Sequence, residues 1–155
     1  MINYDRMIQL AETVFNSKAD ANQLDVDEDV ISHLKSIHPA TLSEYNDENG
    51  SAVWILMIPT TIDLMNRFLE NDISEKELYE LTPKNIQYES IYLCSALVLE
   101  EFRRKGIAKK LTLSAIESIK KDHPIKYLFI WPFSKEGLSL AEKVAGSTQI
   151  PLKIK

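Results

Sequence analysis

Residues 97–111 read LVLEEFRRKGIAKKL. The apolar triplet Leu97-Val98-Leu99 has the composition of a strand end. It runs into Arg103, Arg104 and Lys105, then Gly106, and Ile107 and Leu111 open a helical spacing on which Lys109 and Lys110 also sit. Five cations thus surround one glycine at the start of a helix. Cations there oppose the helix dipole and cost from a few tenths to ~1 kcal/mol each. A bound anion reverses the sign of that cost. The first N–H groups of a helix lack internal partners, so strand, basic turn and helix together make a site suited to phosphate. A glycine lets backbone approach a ligand or take positive φ. Breaking a local rule this heavily points to function.

The rest of the chain sharpens the contrast. Its net charge is −5, with 18 basic and 23 acidic residues among 155, so outside these five cations only 13 basic residues remain. That balance argues against general nucleic-acid binding, which needs a broad basic face. A single domain is expected at this length, burying roughly 68–70% of its unfolded surface. The opening MINYDRMIQL has no apolar run before a small-residue cleavage site, and no stretch approaches the ~20 apolar residues that span a bilayer. Cys94 is the only cysteine, which excludes an internal disulfide. These features lead us to expect a cytoplasmic protein with no membrane partner.

Apolar residues at Tyr4, Met7, Ile8, Ala11, Val14 and Phe15 predict a helix, and a shorter one is expected around Asp29–Ser36, before Pro39. TLSEYND and SAVWILMIP read as a hairpin turning through Asp47-Glu48-Asn49-Gly50. Two helices follow to Leu81, with caps expected at Thr60, paired with Asp63, and at Ser74, paired with Glu77. ESIYLCSALVL is apolar on both faces, as a central strand is. Ile107, Leu111, Ala115 and Ile119 mark the buried stripe of the next helix, which stops before Pro124. KYLFIW, a helix opened by Ser134 and a final strand in QIPLKIK complete the chain. The order predicts an α/β (α+β) fold, a mixed central sheet flanked by helices.

GxxxxGK[ST] and GxGxxG are both absent. Present instead is Arg103-Arg104-Lys105-Gly106-Ile107-Ala108, which fits Gln/Arg-x-x-Gly-x-Gly/Ala after a strand. From about Tyr92 to Gly146 the chain resembles the GNAT superfamily of acetyl-CoA-dependent N-acetyltransferases. The resemblance implies an acyltransferase of residues 1–155, with an acceptor-side half (1–83, helical insertion 60–81) and an acetyl-CoA-binding half (84–155). Backbone N–H groups from Arg103, Arg104, Lys105, Gly106, Ile107 and Ala108 would hold the coenzyme A pyrophosphate. Ala96, Leu97 and Val98 would pair with the pantetheine arm in the gap where their strand splays from KYLFIW. Acetyl transfer would go to a primary amine of a small molecule or peptide. A non-catalytic acyl-CoA sensor on the same fold is the alternative, and the helical insertion suggests a lid or a homodimer surface.

Two positions depart from the family pattern. Its pantetheine-contacting asparagine aligns with Ser134, and its proton-donating tyrosine with Ala141. Tyr92 stands where some members carry a glutamate base; Glu89 is nearby with opposite strand parity. Both are candidate catalytic groups. Cys94 is expected to be a small buried hydrophobe. His33, His38 and His123 lack metal-ligand spacing and read as surface or loop residues. Trp54 and Trp131 are expected in the core, with Trp131 and Phe133 bordering the cleft.

Overall fold

The computed structural model describes residues 3, 5–7, 9–10, 28–132 and 134–155. Strand β1 (Leu42–Asp47) pairs antiparallel with β2 (Gly50–Thr60). The chain turns through Glu48-Asn49 into Gly50, whose φ of 110° is one that L side chains rarely adopt. β2 pairs antiparallel with β3 (Ser90–Val98). β3 pairs parallel with β4 (Tyr127–Ile130), and β4 parallel with β5 (Leu152–Ile154). The sheet order is therefore β1-β2-β3-β4-β5, a mixed sheet in an α/β fold. The edge strands suit their exposure: β1 is polar and bulged between Tyr45 and Asn46, and β5 is short and carries Lys153.

Alternation along the central strands separates two cores. Ile55, Met57, Ile91 and Leu128 point to one face and Leu56, Ile58, Tyr92 and Phe129 to the other. The first face is covered by α4 (Ile107–Asp122) through Ala115, Ile116 and Ile119, by α5 (Lys135–Thr148) through Val144, and by Met7. The second is covered by α1 (Glu28–Ile37), α2 (Ile62–Leu69) and α3 (Glu75–Leu81), through Val30, Leu34, Leu64, Phe68 and Leu78. Among the described residues, no helix is long and apolar enough to cross a membrane.

Much of the helix expected from Tyr4 to Phe15 lies outside the described residues; residues 3, 5–7 and 9–10 are helical. Of the two expected caps, the second forms in full. Ser74 Oγ accepts the Glu77 N–H at 3.0 Å, and Glu77 Oε1 accepts the Ser74 N–H at 3.1 Å. The first is displaced by one residue: Thr61, not Thr60, caps α2 by accepting the Leu64 N–H. Thr60 remains in β2, buried, its hydroxyl 2.7 Å from that of Thr82. Thr61→Ala will cost about 1 kcal/mol, a fall of roughly 2–4 °C in melting temperature. Thr60→Ala, which removes a buried hydroxyl pair instead, separates the two assignments if it lowers the melt without loosening α2 in hydrogen exchange.

His38 and His123 lie between regular elements, as loop residues do, but His38 is buried. His38 is 5% exposed; its Nδ1 accepts the Ala40 N–H and its Nε2 lies 2.7 Å from Asp122. His123 packs on His38 and on Tyr88, and its Nδ1 accepts the Tyr88 N–H at 3.3 Å. Burial, and then His38, lower the proton affinity of His123. The folded chain therefore binds this proton less readily than the unfolded one. Stability from neutral His123 is complete above the unfolded value of about 6.5 and is lost as pH falls below it. Melting temperature will drop between pH 7.5 and 5, and more shallowly in His123→Gln; parallel curves would show that His123 is not responsible.

Candidate functional site

β3 has nine residues, yet only Ser90, Ile91 and Tyr92 pair with β4, opposite Tyr127, Leu128 and Phe129. Six residues of β3, 93–98, run on past the last pairing, while on their other side β2 stays paired as far as Val98. One disturbance lies at the divergence: Leu56 and Met57 of β2 face Ser95 and Leu93, so Cys94 is the extra residue of a bulge. Bulges add twist and re-aim a strand. Cys94 itself is buried.

Backbone direction on this stretch follows from two contacts. The Leu99 N–H donates to Ala52 O of β2, while Val98 O faces away from β2 and accepts the Arg103 Nε–H at 3.1 Å. N–H and C=O groups alternate sides along a strand. Ala96 and Val98 therefore present theirs to the open edge, and Leu97 directs its own to β2. Only Ala96 and Val98 of the expected trio can pair with an arm lying on this edge. The Arg103 contact is exposed and within reach of exchange for a ligand's amide.

The open edge leads through a short 3-10 turn (Glu100–Phe102) into the basic segment. Arg104 has φ 63° and Gly106 φ 76°, two left-handed residues separated by Lys105. Left-handed residues of this kind recur in the anion-binding concavities that successive backbone N–H groups form. Gly106 is the N-cap of α4 and offers no side-chain cap; the first intrahelical bond there is Lys110 N–H to Gly106 O. The N–H groups of Ile107, Ala108 and Lys109 thus have no intrahelical acceptor. A Cβ on Gly106 would meet nothing within 4 Å, so its positive φ, not crowding, requires glycine.

Charge around the turn is arranged to remain positive. Arg6 holds Glu101 with both guanidinium nitrogens, at 2.5 and 2.6 Å, and that contact lowers the carboxyl to about 2. Glu101 is thereby matched by a cation from outside the turn. Lys105 Nζ lies 5.6 Å from the centre of the Phe102 ring. Among the described residues, Arg103, Arg104, Lys105, Lys109 and Lys110 form no ion pair.

The expected proton-handling groups lie elsewhere. Tyr92 is fully buried among Phe68 and Phe129, and its hydroxyl donates to Glu75 Oε2 at 2.6 Å. Burial first, then Cys94 and Glu75, raises its proton affinity well above a free phenol's. Tyr92 is therefore a neutral core phenol and a poor base. Glu89 precedes β3, about 30 Å of strand from Val98, and its carboxylate pairs with Lys126 Nζ at 2.8 Å. Ser134 caps α5 through the Gly137 N–H at 3.0 Å, and its O–H is still able to donate. Ala141 is 2% exposed, so a tyrosine in its place would have no room.

Sequence reasoning missed the Glu75–Tyr92 pair and the contact of Phe68 with Trp131. Glu75 looks like an ordinary first-turn acid beside a capping serine, and nothing in the sequence announces its burial. Trp131 is half-buried at the end of β4; Phe133 lies outside the described residues. Comparison with protein-family models, with curated proteins and with solved structures returned no match.

Proposed function

We propose that the chain is an acyl-CoA-dependent N-acetyltransferase on a GNAT-like fold. The observation that carries this reading is the divergence of β3 from β4 after three paired residues. It leaves a strand edge that runs directly into an uncapped, basic helix start. An amide-bearing arm ending in phosphates fits both parts at once: the arm pairs with Ala96 and Val98, and the pyrophosphate meets the N–H groups from Arg104 to Ala108, the Arg103 N–H of the expected set being held by Glu100 O at 3.2 Å. Arg103, Arg104 and Lys105 supply charge, and Ser134 offers one hydrogen bond from the start of α5.

In the reaction the acceptor nitrogen attacks the thioester carbonyl carbon. The carbonyl oxygen takes up negative charge, which an edge N–H of Ala96 or Val98 stabilises. Collapse breaks the C–S bond; the acetyl group leaves as an amide, the thiolate takes up a proton, and the nitrogen releases one. Among the described residues, no side chain on the open edge serves as an evident acid or base, and we assign both proton transfers to solvent. A positioned group typically contributes ~10²–10⁴-fold, and turnover will be correspondingly slow.

That same lack favours the second reading, an acyl-CoA sensor that binds without turnover. Thiol release from acetyl-CoA, followed over a panel of small amines and lysine peptides, separates the two. The enzyme gives amine-dependent release. Release equal to the amine-free rate, with acetyl-CoA bound, would leave the sensor.

A further inference from the structure

Phe68 lies in the last turn of α2, and Trp131 directly follows β4. Their rings meet edge to face, with centroids 6.1 Å apart. Lys155 follows β5 and is held beside β4 by its N–H to Ile130 O at 3.0 Å. Its Nζ lies 4.2 Å from the centre of the Phe68 ring and 4.4 Å from that of Trp131. Both distances are within the ~6 Å over which a ring face attracts a cation. Next to this ammonium is a cavity of about 280 Å³, lined by Asn71, Asp72, Ser74, Glu77, Trp131 and Lys155. Two of these are carboxylates. Asp72 is held by Arg67 Nε at 2.8 Å, and Glu77 by the Ser74 N–H of the capping box.

We propose that this is an alkylammonium-binding site, filled here by the chain's own Lys155 and opened when a ligand's ammonium displaces that side chain. Two ring faces and the Glu77 carboxylate, which Arg67 leaves unmatched while it holds Asp72, select positive charge, and the adjoining volume admits a short alkyl chain. Lysine is a long, flexible occupant whose ammonium water readily solvates, so an intermolecular ammonium is able to replace it. The role follows from the chemistry and rests on the acetyl-transfer reading. Contact with ring faces stabilises the ammonium over the free amine, whereas the attacking nitrogen must be unprotonated. The site therefore suits a second, non-reacting cationic group of the acceptor, leaving its nucleophilic amine free to attack at the open edge.

The test is calorimetric titration of the full chain with 1,5-diaminopentane, and with 1,5-pentanediol as the neutral counterpart, in the absence of any coenzyme. Lys155→Met will bind the diamine at least tenfold more tightly than the wild type, and neither will bind the diol. Lys155→Arg, which keeps a cation against both rings, will behave as the wild type. Trp131→Leu combined with Lys155→Met will abolish binding, with circular dichroism confirming that the sheet persists. Lys155→Gln stands in if the methionine variant does not fold. Equal diamine affinity in wild type and Lys155→Met, or affinity indifferent to Trp131, overturns the proposal. So does a Lys155→Met chain that only melts earlier and binds nothing, since Lys155 would then merely pin β5. Because no coenzyme is involved, these outcomes are independent of whether the basic turn binds acetyl-CoA.

Discussion

Gly106→Val will abolish acetyl-CoA binding while leaving the sheet and both cores intact. The reason is conformational. Gly106 takes φ 76° at the N-cap of α4, and space for a Cβ is open there. A β-branched residue held in that region is strained by roughly 1–3 kcal/mol, so the turn rearranges to negative φ. Doing so redirects the N–H groups of Gly106, Ile107 and Ala108, three of those assigned to the pyrophosphate. The cores stay, because Ala115, Ile116 and Ile119, which attach α4 to the sheet, lie at least two turns further on. The expected result is a melting temperature lowered by roughly 2–12 °C and no further response to acetyl-CoA. Gly146→Ala is the matched control. Its Cβ also meets open space, but in the interior of α5, where alanine stabilises by roughly 0.5–1 kcal/mol. That variant will melt slightly higher and bind normally. Undiminished binding by Gly106→Val would show that the turn does not hold the phosphates.

Tyr92→Phe will destabilise the protein markedly and barely alter its chemistry. The phenol donates to Glu75 in the interior, and leaving a buried hydrogen-bond partner unsatisfied costs about 1–3 kcal/mol. Its loss lowers the melting temperature by roughly 2–12 °C. The pH dependence carries a second signature. Because the folded state raises the Tyr92 proton affinity, stability from the neutral phenol is complete below the unfolded value of about 10. It is lost as pH climbs above that. Tyr92→Phe flattens the alkaline limb of the stability curve. Relative to wild type, kcat/KM will change by about twofold or less once folded enzyme is compared. A loss of ~10²–10⁴-fold, the scale of a missing acid or base, would return Tyr92 to a catalytic role.

Strong periodicity made the scaffold legible. β2 alternates between the two cores from Ile55 to Ile58 and β3 from Ile91 to Cys94, Asn49-Gly50 marks its turn, and the Ser74–Glu77 box forms as spaced. The cap one residue late at Thr61 shows the limit: Thr60 and Thr61 offer the same chemistry, and only the length of β2 decides between them. The basic turn was legible because its charge contradicts the dipole of the helix it opens. The interior was not. Burial of Glu75 and His38 depends on which faces α3 and α4 turn to the sheet, and tertiary packing alone settles that. The Cys94 bulge likewise comes from register against β2, which no single strand encodes.

The account stands on one claim, that acyl-CoA lies along the open edge of β3 with its phosphates on the start of α4. Melting the wild-type chain with acetyl-CoA, with CoA and with ATP tests it most directly. At ~100 times its dissociation constant a ligand stabilises by ~2.7 kcal/mol, about 5–10 °C for a chain of this size. The account predicts that shift with both CoA species, little with ATP, and none in Gly106→Val. No shift with millimolar acetyl-CoA, or an equal shift with ATP, would contradict it.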